Sequence, residues 1–170
     1  MQKTVMQIFD LDRLNLYSPY KLWSKKTNSY VFMTDFGVQY RIEFADNHDI
    51  WKEGAYEFCI LNENNKNSPN DPKVKETIQC VIEEFFLTNP DILLYQCETG
   101  DNRQAMRARL FLKWFNDYKN KERFCIKLSL IKDEDVDNYI ALIVQKNNPA
   151  LKYIINTFDD FVGFFTQKPE

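Results

Sequence analysis

The sequence has few of the residues that would hold a metal ion or a disulfide framework. Its single histidine, His48, stands in a polar loop beside Asp46 and Asp49, and a lone imidazole in such a loop is typical of a solvated residue. The four cysteines are well separated and lie among apolar residues, without the paired spacing of a zinc site or of a secreted domain. We therefore expect free cysteines, no metal and no cofactor.

Long apolar runs are also missing. No run approaches the roughly 18 residues of a membrane span. Asp10 and Asp12 interrupt the N-terminal segment before a signal-type apolar stretch can develop. We expect a protein that is neither exported nor inserted in a membrane, and the cytoplasm is the simplest location for its free thiols.

The composition is that of a folded protein. The chain has 170 residues, of which 44% are hydrophobic and 15% aromatic, and at this length folding can bury roughly two-thirds of the unfolded chain's surface without staples. Repeats and linkers are absent from the sequence, so we expect one domain over residues 1–170. Residues 1–29 show no clean period, and a short helix or strand is expected there.

Alternating patterns predict antiparallel strands. Residues 29–36 place Tyr30, Phe32, Thr34 and Phe36 on one side, Gly37 supplies a turn, and residues 38–44 alternate again. A third strand is expected over residues 55–61. Residues 92–97 form an apolar run without alternation, which predicts a strand covered on both faces, and residues 123–131 and 139–146 form a further hairpin.

Helical patterns separate and follow these strands. Asp71 and Pro72 form an N-cap and a first-turn proline before a helix that ends near Asn89. A second helix is expected from about Asp101 to Tyr118. A closing helix follows Asn148-Pro149, with a short strand before a helix starting at Thr157 as the alternative. The fold class is therefore α+β, with a mainly antiparallel sheet covered by helices, in the order β-β-β-α-β-α-β-β-α.

Polar residues occupy the start of the apolar face of the second helix. Its wide apolar arc comprises Ala108, Leu110, Phe111, Leu112, Trp114, Phe115 and Tyr118. Continued toward the N-terminus, the same arc holds Arg103, Gln104 and Arg107, so we expect two arginines to point into the protein. They could pair with Glu98, Asp101 or Glu43 in a structural network. Alternatively, with the helix N-terminus they could bind an anion.

The same segment spells C-x-x-G-x-x-R, with Cys97, Gly100 and Arg103. This spacing is similar to the signature loop of cysteine-dependent phosphatases, in which a thiolate at a strand end attacks phosphorus and the arginine holds the phosphoryl oxygens. Gln96 and Gln104 replace the histidine and the Ser or Thr that usually flank that loop. The other reading of Cys97 is a small core residue at the end of a buried strand.

Charge is unevenly distributed along the chain. The net charge is −3, but residues 103–132 carry +7 and the rest of the chain −10. Arg109, Lys113, Arg123 and Lys127 could form a basic patch for nucleic acid. The acidic chain as a whole, with a pI near 5.3, favours solvated faces instead.

One block of residues resembles a known family. The block combines a strand ending in Cys and an acid, an Asp, Arg-Gln, Arg, Leu-Phe and Trp-Phe, and the hairpin of residues 30–40 precedes it. Its markers are Cys97, Glu98, Asp101, Arg103, Gln104, Arg107, Leu110, Phe111, Trp114 and Phe115. The block is similar to an uncharacterised family of small bacterial proteins, over about Ser29 to Phe161. The resemblance supports the fold and implies no catalytic residue.

These observations favour a non-catalytic binding or regulatory module, with a candidate anion site at residues 97–107. Its candidate ligand-binding residues are Glu98, Asp101, Arg103, Gln104 and Arg107. A protein partner or self-association and a small anion are the expected partners, whereas nucleic acid and membranes are not. The alternative is a phosphatase-like enzyme with Cys97 as the nucleophile and Arg103 as the phosphate clamp. Nucleic-acid binding through residues 103–132 is the third hypothesis.

Overall fold

The computed structural model describes Met6, residues 9–97 and residues 102–166, apart from the side chain of Thr166. Its elements are α1 (Leu11–Tyr17), β1 (Trp23–Lys26), β2 (Ser29–Met33), β3 (Gln39–Asn47), β4 (Ala55–Asn62), α2 (Pro72–Thr88), β5 (Leu93–Gln96), α3 (Gln104–Asn116), β6 (Phe124–Asp133), β7 (Val136–Gln145) and α4 (Leu151–Thr166). This confirms the predicted α+β class, and from β2 to α4 the order is the predicted one. Helix α1 and strand β1 lie in the N-terminal segment that has no clean period.

The seven strands are hydrogen-bonded in the order β1-β2-β3-β4-β5-β7-β6. Pairing is antiparallel between β1 and β2, β2 and β3, β5 and β7, and β6 and β7. Strands β4 and β5 are parallel, in a register from Tyr56↔Leu93 to Phe58↔Tyr95. Helix α2 connects them, because parallel neighbours require a crossover rather than a tight turn.

Backbone contacts divide the chain into two compact units. The first comprises Met1–Phe44 and Ile60–Pro90, and the second comprises Ala45–Cys59 and Asp91–Glu170. The expectation of one domain over residues 1–170 stays a prediction.

In the first unit, α2 forms as the sequence predicts. The side chain of Asp71 accepts a hydrogen bond from the Lys73 amide, and Pro72 occupies the first turn, where its missing N–H costs nothing. The predicted apolar face is buried, and at its C-terminal end Phe85 stacks on Phe44 of β3 with ring centroids 5.9 Å apart. Capping therefore fixes where α2 starts, and aromatic packing holds it on the sheet.

Strand β2 departs from simple alternation. Residues 29–32 are all buried, so both of its faces are covered. The strand ends at Met33, and Thr34 accepts hydrogen bonds from the amides of Phe36 and Val38 in the following turn. The expectation that Phe36 belongs to the core-facing side is wrong. Its side chain is exposed because it lies in the turn rather than in the strand.

A buried ion pair fastens α1 to α2. The guanidinium of Arg13 donates from Nη2 to Glu84 Oε1 at 2.6 Å and from Nε to Oε2 at 3.1 Å. The amide of Asp10 also donates to Glu84 Oε1, at 3.3 Å. Glu84 is buried whereas Arg13 is half exposed. The carboxylate therefore depends on Arg13 for its charge compensation.

In the second unit, helices cover both faces of the sheet. Leu94 and Leu142 pack in one cluster with Ile154 and Phe158 of α4. Tyr95, the neighbour of Leu94 along β5, points to the opposite face and contacts α3. This explains why residues 92–97 form an apolar run without alternation.

Two predicted details of the helices differ from the structure. Leu110 belongs to the predicted apolar arc of α3 but is exposed, because the buried side centres on Ala108 and Phe111, and Leu110 lies about 100° away from Phe111. At α4 the helix is continuous from Leu151. The alternative of a short strand before a helix at Thr157 is therefore wrong.

The ion pair of Arg13 with Glu84 makes a testable prediction. We expect Arg13→Met to destabilise the protein more than Glu84→Leu does. Arg13→Met leaves the buried Glu84 carboxylate without a counter-charge or water, whereas Glu84→Leu leaves a half-exposed guanidinium that water can solvate. Urea unfolding measures both. Lys21→Met removes an exposed charge outside the pair and serves as the control. Equal unfolding midpoints for Arg13→Met and Lys21→Met would contradict the role of this pair.

Candidate functional site

Side chains from β5 and α3 meet where the strand ends and the helix begins. The Tyr95 hydroxyl and the sulfur of Cys97 are hydrogen-bonding partners, and the two residues lie two positions apart on the same face of the chain. Arg107, in the second turn of α3, acts electrostatically on both groups. Gln104, one helical turn before Arg107, completes the group. We call these four residues the β5–α3 junction.

Aromatic stacking fixes the position of Tyr95. Its ring lies parallel to that of Phe111 of α3, with centroids 4.2 Å apart and an interplanar angle of 19°. Phe58 of β4 contacts both rings, at 5.1 Å from Tyr95 and 6.4 Å from Phe111. The rings of Phe58 and Phe111 therefore hold the ring of Tyr95 in place, and with it the hydroxyl that interacts with Cys97.

The Cys97 thiol is the opposite of an activated nucleophile. Burial raises the pKa of Cys97 from 9.0 to about 11, although the Tyr95 hydrogen bond and the charge of Arg107 both act to lower it. Burial likewise raises the pKa of Tyr95. At neutral pH both groups are therefore protonated. A phosphatase cysteine needs a lowered pKa, because the thiolate is the attacking species.

Gln104 contributes a buried amide to the junction. It is 7% exposed, and its Nε2 donates to the backbone oxygen of Asp137 at the start of β7, at 3.0 Å. This hydrogen bond fixes the orientation of the amide, since a carbonyl can only accept. Its Oε1 atom is buried and has no hydrogen-bond partner among residues 6, 9–97 and 102–166. Such an acceptor is completed by a water molecule or by a donor from a ligand.

The structure separates the predicted site residues. Gln104 is buried and Arg107 half-buried, as expected for an inward face, but Arg103 is exposed. The expectation for Arg103 is wrong because α3 starts at Gln104, so Arg103 is its N-cap, with φ −105° and ψ 14°, and the helical period does not extend to it. Glu98 and Asp101, with Gly100 of the C-x-x-G-x-x-R motif, lie outside the described residues.

Glu43, the third acid considered as a partner of the arginines, makes contacts of its own. In the first unit it lies 3.3 Å from the nitrogen atoms of both Lys26 and Arg41. Arg103 and Arg107 are not isolated either, because each interacts with another group of the protein.

The basic patch expected for nucleic acid is not assembled on one face. Lys127 of β6 pairs with Leu142 of β7, on the side that α4 covers, and its Nζ lies 2.5 Å from Asp159 of α4. Arg109 and Lys113 belong to α3, which packs on the opposite face of the sheet. Lys127 is separated from Arg109 and Lys113 because alternation along β6 takes it to the α4 side.

The remaining candidate features are His48, a metal site and a membrane-spanning helix. His48 is exposed, and its ring lies against Gly54, whose φ is +88°. Among residues 6, 9–97 and 102–166, no group of three or more His, Cys, Asp or Glu side chains is placed to hold a metal ion. No helix in these residues has the length and apolar character that crossing a membrane requires.

Tyr95 is the junction residue that the sequence reasoning missed. A signal for it exists, because residues two apart on a strand share a face, so the side chain at position 95 must lie beside Cys97. The orientation of the Gln104 amide has no such signal, since the Asp137 carbonyl that accepts from its Nε2 is 33 residues away.

Comparison with known proteins identifies the family. Residues 70–160, more than half of the chain, match the model of DUF6169, a family of unknown function. The chain belongs to this family. The resemblance to an uncharacterised family is thereby confirmed, and the DUF6169 region contains the whole junction. No curated protein matches the chain.

One solved structure is similar to this DUF6169 protein. It is the N-terminal domain of a ribosomal-protein-alanine acetyltransferase from Clostridium acetobutylicum, with 12% sequence identity and a TM-score of 0.42. The match covers 76% of this chain and 92% of that one. A similarity of this size establishes neither a shared fold nor a shared activity.

The raised pKa of Cys97 predicts slow chemistry at the thiol. In a variant whose other three cysteines are changed to serine, alkylation by iodoacetamide at pH 8 should be roughly a hundredfold slower in the folded protein than in urea, because the pKa difference from 9.0 to about 11 reduces the thiolate fraction by about that factor. The rate should increase as the pH approaches 11. Equal rates in the folded and unfolded chain would contradict a buried, protonated thiol.

The same pKa shift predicts a dependence of stability on pH. The folded protein holds the thiol proton more tightly than the unfolded chain does, so this contribution is complete below pH 9 and is lost as the pH rises toward 11. We expect Cys97→Ala to decline less steeply over that interval in urea unfolding. The pKa of Tyr20, raised to about 12 mainly by burial, adds a decline above pH 10 in both proteins. Parallel profiles between pH 9 and 11 would count against the shift at Cys97.

Proposed function

We propose that this DUF6169 protein is a non-catalytic binding module whose β5–α3 junction takes a ligand that carries both an anionic group and a hydrogen-bond donor. The observation that carries the proposal is Gln104, whose buried Oε1 has no hydrogen-bond partner among the described residues and lies one helical turn before Arg107. A ligand donor would complete the acceptor, and the positive charge of the guanidinium would attract the anionic group of the same ligand.

The electrostatics at the start of α3 support an anionic ligand. Helices are stabilised by acidic residues in the first turn, because the N-terminus carries partial positive charge. Helix α3 has no acidic residue in its first turn, as is also true of α2 and α4, and its N-cap Arg103 makes no side-chain capping hydrogen bond. Arg107 adds positive charge beside Cys97 and Tyr95, which are neutral at pH 7, and this charge favours an anionic ligand.

The position of the junction in the sheet also supports binding. In open sheets, ligands bind outside the carboxyl ends of parallel strands. Strand β5 runs parallel to β4, and the junction lies at its carboxyl end. The pairing of β5 with β4 ends at Phe58↔Tyr95. On its other side β5 stays bonded to β7 for longer, because the amide of Cys97 donates to the carbonyl of Tyr139.

The phosphatase-like alternative receives no support from the described residues. Cys97 is a thiol with a raised pKa, and Arg103, the intended phosphate clamp, is exposed. We expect no hydrolysis of p-nitrophenyl phosphate by the purified protein. Turnover that disappears in Cys97→Ser would overturn the non-catalytic proposal. A bacterial source, a cytoplasmic location and a protein partner or self-association stay predictions.

The two groups of the junction define the probe that tests the proposal. Among the described residues the buried Gln104 Oε1 has no donor, and sulfate carries no hydrogen-bond donor while phosphate carries only its protonated oxygens, so neither ion supplies an amide N–H. The pantetheine arm of acetyl-CoA carries amide N–H groups in the same molecule as the phosphates that Arg107 would contact. Acetyl-CoA is therefore the probe that combines both requirements of the junction.

Thermal unfolding with phosphate, sulfate or acetyl-CoA tests the proposal. A ligand present at about a hundred times its Kd should stabilise the protein by about 2.7 kcal/mol. We expect acetyl-CoA to raise the melting temperature more than phosphate does, and Arg107→Leu to abolish both effects with a small loss of intrinsic stability. Gln104→Leu should reduce the response to acetyl-CoA more than the response to phosphate.

Arg109→Leu is the matched control, because it removes the same side chain from the same helix at an exposed position. It should leave every ligand response intact. If no probe stabilises the wild type, and Arg107→Leu alone destabilises it by about 3 kcal/mol or more, the guanidinium belongs to an internal ion-pair network and the proposed site fails.

A further inference from the structure

The outward side of α3 carries apolar residues that the fold does not use. Met106 is 51% exposed and Leu110 is 42% exposed. They are four residues apart, so they lie next to each other one turn apart along the helix. Exposed single apolar side chains are ordinary, but two adjacent ones on one helix form a continuous apolar strip.

Basic residues border this strip. Arg109 and Lys113 are exposed, four residues apart, and lie beside Met106 and Leu110 on the helix surface. Among the described residues, neither has an ion-pair partner. The helix contains no Asp or Glu between Gln104 and Asn116, so no acid on α3 itself could neutralise them. We call Met106, Arg109, Leu110 and Lys113 the α3 outer strip.

The packing of α3 on the sheet does not use the outer strip. The inward side of α3 is formed by Ala108 and Phe111, which are buried, and Phe111 makes the stack with Tyr95. Basic side chains would support the helix only in its last turn, where Lys113 alone stands. The packing of α3 therefore does not account for the exposed apolar and basic side chains of the strip.

We infer that the α3 outer strip docks an acidic amphipathic helix of a partner protein. Charge complementarity carries the choice of occupant, because a strip with two cations and no acid attracts a partner rich in Asp and Glu. The apolar residues select a partner helix with its own apolar face, since helix-in-groove recognition uses anchors at i and i+4. Nucleic acid would leave Met106 and Leu110 without a contact, and Lys127, which could have extended the basic surface, pairs with Asp159.

This inference does not rest on the β5–α3 junction. The strip faces away from the sheet, and its four residues differ from those of the junction. Binding of a partner helix and binding of a small anionic ligand can therefore be measured independently.

Fluorescence anisotropy with a labelled synthetic peptide tests the inference on the full chain. The probe is a helical peptide with Leu at every third or fourth position and Glu on its other side, and a second peptide carries Lys in place of Glu. We expect the acidic peptide to bind, with an affinity that falls as salt increases, and the basic peptide not to bind. Leu110→Ser should weaken binding by about tenfold or more, as loss of one buried leucine predicts.

Matched variants separate the strip from general surface effects. Lys113→Glu should weaken binding of the acidic peptide and reduce its salt dependence, whereas Lys152→Glu on α4 makes the same change of charge elsewhere. Leu87→Ser removes an exposed leucine from α2, where Leu87 is 63% exposed and Leu110 of the strip is 42% exposed. Both controls should change the affinity by less than about twofold.

Other outcomes would overturn the inference. Absence of acidic-peptide binding, or equal loss in Leu110→Ser and Leu87→Ser, would reject the strip as a docking surface. Light scattering that shows a dimer disrupted by Leu110→Ser would assign the strip to a second copy of the chain. Binding of anionic phospholipid vesicles in place of the peptide would assign it to a membrane surface.

Discussion

The arrangement of the second unit depends on the burial of β5 on both faces. Adjacent residues of a strand point in opposite directions, so Leu94 enters the cluster with α4 while Tyr95 enters the stack with Phe111 of α3. Cys97 continues the Tyr95 side of the chain beyond the end of the strand. Its thiol is therefore held where water is excluded, and its raised pKa follows from the position of β5 in the sheet.

Helix α3 contributes to two surfaces because its inward and outward sides carry different chemistry. Gln104 and Arg107 lie toward β5 and β7, whereas Arg109 and Lys113 face outward. Acids three or four residues from a cation would stabilise a helix. Helix α3 contains no acid, and it is held on the sheet by the packing of Phe111 and Ala108. Positive charge on both sides of the helix is therefore what the proposed ligand and the proposed partner helix would each recognise.

Local signals were sufficient to predict most elements of the fold. Alternation predicted the hairpins, and Asp71 with Pro72 predicted the start of α2, since both signals depend only on neighbouring residues. The wrong predictions at Phe36 and Arg103 came from extending a repeating pattern beyond the element, because Phe36 follows the end of β2 and Arg103 precedes the first residue of α3. The wrong prediction at Leu110 has another cause, since the buried side of α3 is narrower than its set of apolar residues. The junction was predicted only in part, because the contact of Gln104 with Asp137 depends on tertiary packing that no local pattern encodes.

Desolvation of Cys97 is what makes the junction unsuited to nucleophilic catalysis, because it keeps the thiol protonated. Arg107 and the hydroxyl of Tyr95 both favour the thiolate of Cys97, as they would in an enzyme that activates cysteine. Burial outweighs them, and the thiol keeps its proton to about pH 11. A phosphatase would need that order reversed, with a thiolate at neutral pH. Because Cys97 stays neutral, it places no negative charge beside Arg107 and would not repel an anionic ligand at the junction.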